Sequence, residues 1–325
     1  MQAVPGGGPG SGPAAERQVR GQVPCVPGSV DPGGGGLAVG AVPDRSRQRH
    51  VHEDQAHLRR AAGICRLDAR RPRHLSIARA AELVARARRG VALTGAGISA
   101  ESGIPTFRGE GGLWRQYDPV KVATLENFLE DPAQYWRVAR ERGPAVLAAR
   151  PNAGHVALAE LEASGHIAAV VTQNTDGLHR DAGSRRVIEL HGTGRTVQCL
   201  DCGVVESRGD VQARLADEMP PRCAVCGGTF MKPTVVFFGE QMPADAVAQA
   251  FELARDADLM LVVGSSLVVY PAAEVPLVAA RAGVPIVLIN AEPTPIDDLA
   301  DVVIHGRSGE VLPEIARLAL VASGG

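Results

Sequence analysis

No stretch of this 325-residue chain approaches the roughly 20 consecutive apolar residues that cross a bilayer. The first thirty residues are rich in Gly and Pro and lack the apolar core of a secretory leader. No membrane partner is expected, and the expected compartment is the cytoplasm. An excess of basic charge is missing too: 34 Lys and Arg face 36 Asp and Glu, a formal net charge of −2. Tight sequence-independent phosphate binding needs a concentrated surplus of cations, so no specific nucleic acid is expected as a partner. Cysteine is scarce, with six in the chain, far below the density of a disulfide-built scaffold. Internal repeats are absent. What remains is a chain 45% hydrophobic, long enough for one large α/β domain with a small satellite.

Residues 1–50 hold 12 Gly and 7 Pro without helical or strand periodicity, and such a stretch cannot offset its ordering entropy by burial. Residues 1–75 carry 11 Arg, no Lys and 6 acidic residues, a net +5, against 23 basic and 30 acidic residues in the other 250. The expected organisation is a disordered Gly/Pro/Arg-rich extension over 1–75 and a folded domain over 76–325. His50, His52 and His57 have no Cys or acidic cluster at ligand spacing and read as part of a solvated tail.

From Ser76 the signals become orderly. A hydroxyl at an N-cap position precedes Ile77, Ala80, Ala81, Val84 and Ala87 on one helical face, and Gly90 follows as a stop. Short apolar runs at 91–94, 167–172, 187–190, 235–238, 259–264, 285–290 and 302–304 read as buried strands. Segments 155–163, 244–254 and 274–281 have helical composition and lie between them. The alternation predicts an α/β fold, a Rossmann-like doubly wound parallel sheet.

Gly95-Ala96-Gly97-Ile98-Ser99-Ala100 follows the first strand and fits G-x-G-x-x-A, whose glycines let backbone N–H groups approach a pyrophosphate at a helix start. A glycine-rich turn closing an ordinary βα unit satisfies the same pattern. No acidic residue ends a second strand where a dehydrogenase would hold its adenosine ribose, so simple hydride transfer fits poorly. Cys199-x-x-Cys202 and Cys223-x-x-Cys226 stand 20 residues apart, the spacing of a tetrahedral four-cysteine zinc site. Four thiolates leave no position for water, which favours a structural zinc-ribbon insert, about 195–231, over a catalytic metal or a redox pair. His191 closes a strand and precedes Gly192, which places its ring at the carboxyl edge of the sheet. Gln173, Asn174 and Asp176 follow another strand end; an Asx turn capping the next helix is the plainer reading of such residues.

Together these segments carry a resemblance. Thr94 to Gly109, TGAGISAESGIPTFRG, resembles the nucleotide-binding segment of the sirtuins, the NAD-dependent protein-lysine deacylases. Thr172 to His179, TQNTDGLH, resembles the second motif of that family, Glu189 to Gly192 the third and Lys232 to Glu240, KPTVVFFGE, the fourth. They occur in family order, and Gly264-Ser265-Ser266 and Leu288-Ile289-Asn290 complete a likeness spanning about 76–320. One departure is Thr234, where the family commonly has Asp.

The resemblance implies NAD as cosubstrate, zinc in the insert and acyl-lysine protein substrates. It implies His191 as general base and Asn174 beside the nicotinamide ribose. Gly95, Ala96, Gly97, Ser99, Thr106, Phe107, Arg108, Gln173, Asp176, Gly264, Ser265, Ser266 and Asn290 would complete the cofactor site. The walls 235–240 and 266–270, through Val236, Phe238, Gly239, Glu240 and Val268, would hold the substrate as an added strand through main-chain hydrogen bonds. The implied reaction opens with attack of the acyl oxygen on C1′ of the nicotinamide ribose, expelling nicotinamide. A ribose hydroxyl activated by His191 then attacks the resulting carbon, and hydrolysis yields free lysine and O-acyl-ADP-ribose. A branch that removes succinyl and malonyl groups carries a Tyr-x-x-Arg pair; alignment on Trp136 puts Ala139 and Arg142 there, half of the clamp, so acetyl is the expected group. A mono-ADP-ribosyltransferase using the same pocket and a non-catalytic zinc-ribbon module stay open as alternatives.

Overall fold

The structure is a computed structural model in which residues 73–108 and 111–323 are described. The expected extension lies outside the described residues, save that 73–75 begin the first described helix, Arg73–Arg86. Ser76 therefore sits inside that helix and is not its N-cap. Gly109, the last residue of the first motif, also lies outside.

Nine strands are described: β1 Gly90–Thr94, β2 Ile167–Thr172, β3 Val187–Glu189, β4 Gly192–Cys199, β5 Val205–Ser207, β6 Met231–Val235, β7 Leu259–Val263, β8 Ile286–Asn290 and β9 Val302–His305. Six form one sheet in the order β3-β2-β1-β7-β8-β9, with every neighbouring pair parallel. In chain sequence that order is 3-2-1-4-5-6, the Rossmann arrangement, and it reverses between β1 and β7. That reversal is the topological switch point, and α/β folds of this kind hold their ligands beyond the carboxyl ends of the strands there.

Alternate side chains of the strands feed cores on the two faces. Ala92, Val170, Leu261 and Ile289 pack with Ala80, Val84, Leu158, Leu161, Leu312 and Ile315 on one side. Leu93, Val171, Val262 and Leu288 pack with Ala250, Ala254 and Leu277 on the other. Burial on both faces is what makes these strands read as continuous apolar runs.

The second sheet, β5-β4-β6, is small and antiparallel. Sequence reading placed a strand at 235–238; the strand is β6, displaced toward the N-terminus, and the chain beyond Val235 turns away. The insert also has an apolar core, shared with residues outside it. Val197, Val211, Leu215 and Met231 pack with Phe128, Trp136 and Phe237. Trp136, fully buried, donates its indole N–H to the Met231 carbonyl at 2.9 Å, and the Arg208 guanidinium lies 4.9 Å from its ring. The helix Pro132–Ala148 and the insert thus share one small lobe.

Candidate active site

The glycines at the switch point serve packing first. Gly95 N–H donates to the Val263 carbonyl at 3.0 Å, Gly97 N–H to the Gly264 carbonyl at 2.8 Å and Ile98 N–H to the Gly95 carbonyl at 3.1 Å. Those three N–H groups are spent within the protein, so these glycines would serve a pyrophosphate by allowing close approach and not by donating those hydrogen bonds. A Cβ at Gly97 would stand 2.7 Å from Gly264 Cα, and Gly264 itself has φ of 62°. The element that follows Gly95 is a 3₁₀ helix, Ala96–Ser102, rather than the start of an α-helix.

Below that turn lies a buried polar network that joins both strand ends. Ser99 Oγ donates to Asp176 Oδ2 at 2.7 Å and accepts from Asn174 Nδ2 at 3.1 Å; the same amide reaches the Gly95 carbonyl at 3.1 Å. Asn174 N–H donates to Thr172 Oγ1, and Thr94 Oγ1 donates to Thr172 Oγ1 at 2.8 Å. Asp176 Oδ1 accepts from Leu178 N–H, and Arg195, paired with Asp181, donates to the Asp176 carbonyl at 2.7 Å. Three of the expected cofactor residues, Ser99, Asn174 and Asp176, are thus fixed against one another.

Two histidines that sequence reasoning passed over sit behind them. Asn152 N–H donates to His155 Nδ1 at 3.3 Å, so the proton is on Nε2, which lies 3.4 Å from Ser99 Oγ. His179 Nε2 meets Thr94 Oγ1 at 2.8 Å, while its Nδ1 is buried without a partner. The two rings meet edge to face at 4.9 Å. Burial lowers both pKa values, that of His179 to about 3, with His155 adding repulsion. Both are therefore neutral structural groups. The Asn152-x-x-His155 pair, which forms a capping box on the helix Ala153–Ala163, is the sequence signal that could have found one of them.

His191 stands just past β3, at the carboxyl edge as expected. Its Nδ1 lies 3.0 Å from the Gln173 carbonyl, an oxygen that can only accept, so Nδ1 carries the proton and Nε2 keeps its lone pair. Burial lowers the pKa, and the Gln173 hydrogen bond opposes that shift in part. A neutral imidazole with a free Nε2 suits proton abstraction near neutral pH. Gln173 spends its side chain on Ser265 Oγ at 2.9 Å, and Ser265 also accepts from Leu267 N–H.

The loop after the 3₁₀ helix is pinned where it returns. Leu113 N–H donates to the Thr106 carbonyl at 2.9 Å and Trp114 N–H to the Phe107 carbonyl at 3.0 Å, while Thr106 Oγ1 donates to the Arg108 carbonyl. Phe107 is exposed and lies 5.2 Å from Trp114, whose ring in turn is 6.4 Å from that of Phe238. Partial burial lowers the pKa of Arg108, which leaves it a cation at any physiological pH. Ser266 is exposed beyond β7, and Asn290 closes β8 with its amide on the Glu292 carbonyl.

In the expected substrate walls several main-chain groups are already spent, those of Phe238, Val236 and Glu240 among them. Phe238 N–H donates to the Ala123 carbonyl at 2.8 Å, and Leu125 N–H donates to the Phe238 carbonyl at 3.2 Å. Its N–H is spent and its carbonyl already accepts one bond, so the exposed ring is the part of Phe238 that stands open to a ligand. Val236 N–H is likewise spent on the His191 carbonyl. Gly239 and Val268 keep main-chain groups without partners among the described residues. Arg142 lines an open cleft of about 460 Å³ with Ala100, Gly103, Pro105, Glu141, Ala145 and Val146. Its guanidinium lies 5.9 Å from the Tyr117 ring, and the Tyr117 hydroxyl donates to Glu141 at 3.1 Å.

The four cysteines converge as their spacing predicts. Cys199 and Cys226 sulfurs are 3.6 Å apart, Cys202 and Cys223 sulfurs 3.7 Å, and all four lie within 4.8 Å of one another. Tetrahedral zinc–thiolate geometry puts sulfurs roughly 3.8 Å apart, so the donor set fits zinc.

Comparison with known proteins gives a consistent result. The Sir2 family model matches residues 95–271. The NAD-dependent protein deacylase 2 of Archaeoglobus fulgidus is 50% identical over 239 residues, covering 74% of this chain and 94% of that protein. A solved Sir2 enzyme is 47% identical with a TM-score of 0.72, covering 77% of this chain and 99% of that one. A Sir2 structure with a deacetylated p53 peptide and 3′-O-acetyl-ADP-ribose is 41% identical with a TM-score of 0.69, covering 75% and 97%.

Proposed function

Because this chain belongs to the Sir2 family and is an NAD-dependent protein deacylase, we propose that His191 is its general base and Asn174 its ribose-positioning amide. The observation that carries this reading is the fixed tautomer of His191. With Nδ1–H given to the Gln173 carbonyl, Nε2 is the nitrogen able to take a proton from a ribose hydroxyl. Asn174 gives both amide N–H groups to Ser99 and the Gly95 carbonyl, which leaves Oδ1 to accept from a hydroxyl of the nicotinamide ribose, and Asp176 would meet the carboxamide. Phe107 covers the reactive ribose against water from the loop above.

NAD is consumed as a cosubstrate, and the acyl group leaves lysine on ADP-ribose. Cys199, Cys202, Cys223 and Cys226 would hold zinc, which supplies cross-linking of the small lobe and takes no part in the chemistry. Acetyl-lysine segments of proteins are the substrates on this reading. We divide the chain into a 1–75 extension and a catalytic domain over 76–325 carrying the zinc insert. Among the described residues no helix is long and apolar enough to cross a membrane. A cysteine quartet spaced for metal fits a reducing compartment, and we assign the chain to the cytoplasm.

The test compares nicotinamide release with an acetyl-lysine peptide and with an unmodified protein acceptor. Release that requires the acetylated peptide and yields O-acetyl-ADP-ribose is expected. Release coupled to ADP-ribosylation of the unmodified acceptor would instead assign a transferase.

A further inference from the structure

Lys232 lies on β6 and is buried, with 7% of its surface exposed. Its ammonium donates to the Val235 carbonyl at 2.8 Å and the Pro233 carbonyl at 3.3 Å, and pairs with Glu240 Oε2 at 2.9 Å. It also sits 4.5 Å from the centre of the Phe237 ring. All three N–H donors are used. Glu240 Oε2 accepts the Phe237 N–H as well, at 2.6 Å, and Glu240 N–H returns to the Phe237 carbonyl at 3.0 Å. The result is a closed ring of contacts spanning residues 232 to 240, which turns the chain just where β6 ends.

That turn sorts two adjacent phenylalanines. Phe237 goes into the core of the small lobe, 4% exposed, beneath the ammonium; Phe238 goes outward, 44% exposed. The backbone of Phe238 is then held from the other side by Ala123 and Leu125. Between the two anchors stands Gly239, at φ of 88°, with open space around it and no partner for its N–H or C=O among the described residues. A buried ion pair is a poor way to gain stability, since apolar side chains of the same volume do as well or better. Its use here is to fix a geometry.

We propose that the Lys232–Glu240 pair is a positioning device for the peptide substrate, holding Gly239 and the Phe238 ring where an incoming acyl-lysine strand meets them. The inference rests on the deacylase reading above. Neither side chain need touch the reacting atoms. The pair sets how well the peptide is held and leaves the chemical step to His191.

The test is steady-state kinetics with an acetyl-lysine peptide on the full chain. K232M keeps the length of the side chain and removes the ammonium. It should raise the peptide KM about tenfold, as the loss of about 1.4 kcal/mol of peptide binding would, while kcat and the Kd for NAD change by less than about threefold, the pattern of lost uniform binding. E240Q keeps a carbonyl oxygen for the Phe237 N–H and should fall between wild type and K232M. The double variant should be no worse than K232M, because both changes break one unit. A folded K232M with unchanged KM, or KM effects that multiply in the double variant, would overturn the proposal. So would a fall in kcat with KM unmoved. Should K232M not fold, E240Q alone must raise KM, and an unchanged KM there overturns it equally. Wild-type protein that does not turn over the peptide at all sinks the deacylase reading and this inference together; wild-type turnover with unmoved variants sinks only the inference.

Discussion

His191 gives its Nδ1 proton to the main-chain carbonyl of Gln173, 18 residues earlier in the chain and at the end of the neighbouring strand. One hydrogen bond thereby selects the tautomer of the base and fixes the angle of its ring. His191→Ala should abolish deacylation while leaving NAD affinity within about threefold, since a base acts in the chemical steps. NAD titration and peptide turnover on the same preparation decide it. Turnover within about tenfold of wild type, less than a general base usually contributes, would remove His191 from this role.

Because burial lowers the His191 pKa from 6.5, the base stays neutral further into acid than an ordinary imidazole. The acid limb of kcat/KM should therefore lie below pH 6.5. A pH–rate profile whose acid limb lies above that value contradicts the assignment.

His179 links stability to pH with the opposite partner state. It is neutral in the fold with a pKa of about 3, against 6.5 for a free imidazole. Below pH 6.5 the unfolded chain takes up a proton that the folded chain refuses, so stability falls as pH drops through that window. The loss approaches the order of 4 kcal/mol at its acid end, and His155 adds to it in the same direction. Denaturant midpoints at pH 7.5, 5.5 and 4.5 should fall steadily, less so in His179→Gln. An equal fall in the variant assigns the effect elsewhere.

Cys199 is both a thiol of the metal quartet and a member of the core around Trp136. Cys199→Ala should lower zinc content and stability, and the fluorescence of Trp136 should report the loosening. A soluble, zinc-free and fully active variant would show that the quartet is not structural.

Arg142 stands in its cleft beside Glu141, and the phenol of Tyr117 is committed to that carboxylate. A succinyl group would bring its own carboxylate toward Glu141 with one cation, Arg142, to offset that repulsion, and an ion pair in an open cleft contributes only about 0–1 kcal/mol. Acetyl-lysine should give the higher kcat/KM when acetyl, propionyl and succinyl versions of one peptide are compared. Succinyl activity that is weak and disappears in Arg142→Met fits the half clamp; succinyl preferred over acetyl refutes it.

Features carried by local spacing were legible in the sequence. The cysteine quartet, the strand ends bearing Asn174 and His191, and the parallel character of the main sheet all follow from short runs of residues. What escaped depends on partners far away in the chain. β4 alternates Gly, Arg, Thr and Gln with the buried Val197 and Cys199, so it has no apolar run to announce it. β6 contains Pro233, which discourages a strand; the small sheet tolerates it because β6 is an edge. The helices between 119 and 148 carry three prolines that read as breakers. Pro119 and Pro132 occupy first helical positions, where proline is favoured, and Pro144 lies inside the longest of them. The packing of Gly97 on Gly264 escaped because the two are 167 positions apart in the chain.

That contact between Gly97 and Gly264 has a consequence for redesign. A side chain at either position would collide with the other's backbone, so the two behave as a single locked site in any mutational library. Variation at one cannot be rescued by variation at the other, since both already carry the smallest residue. Libraries gain nothing there and are better spent on positions whose side chains lie outside the contact, such as the exposed Ser266.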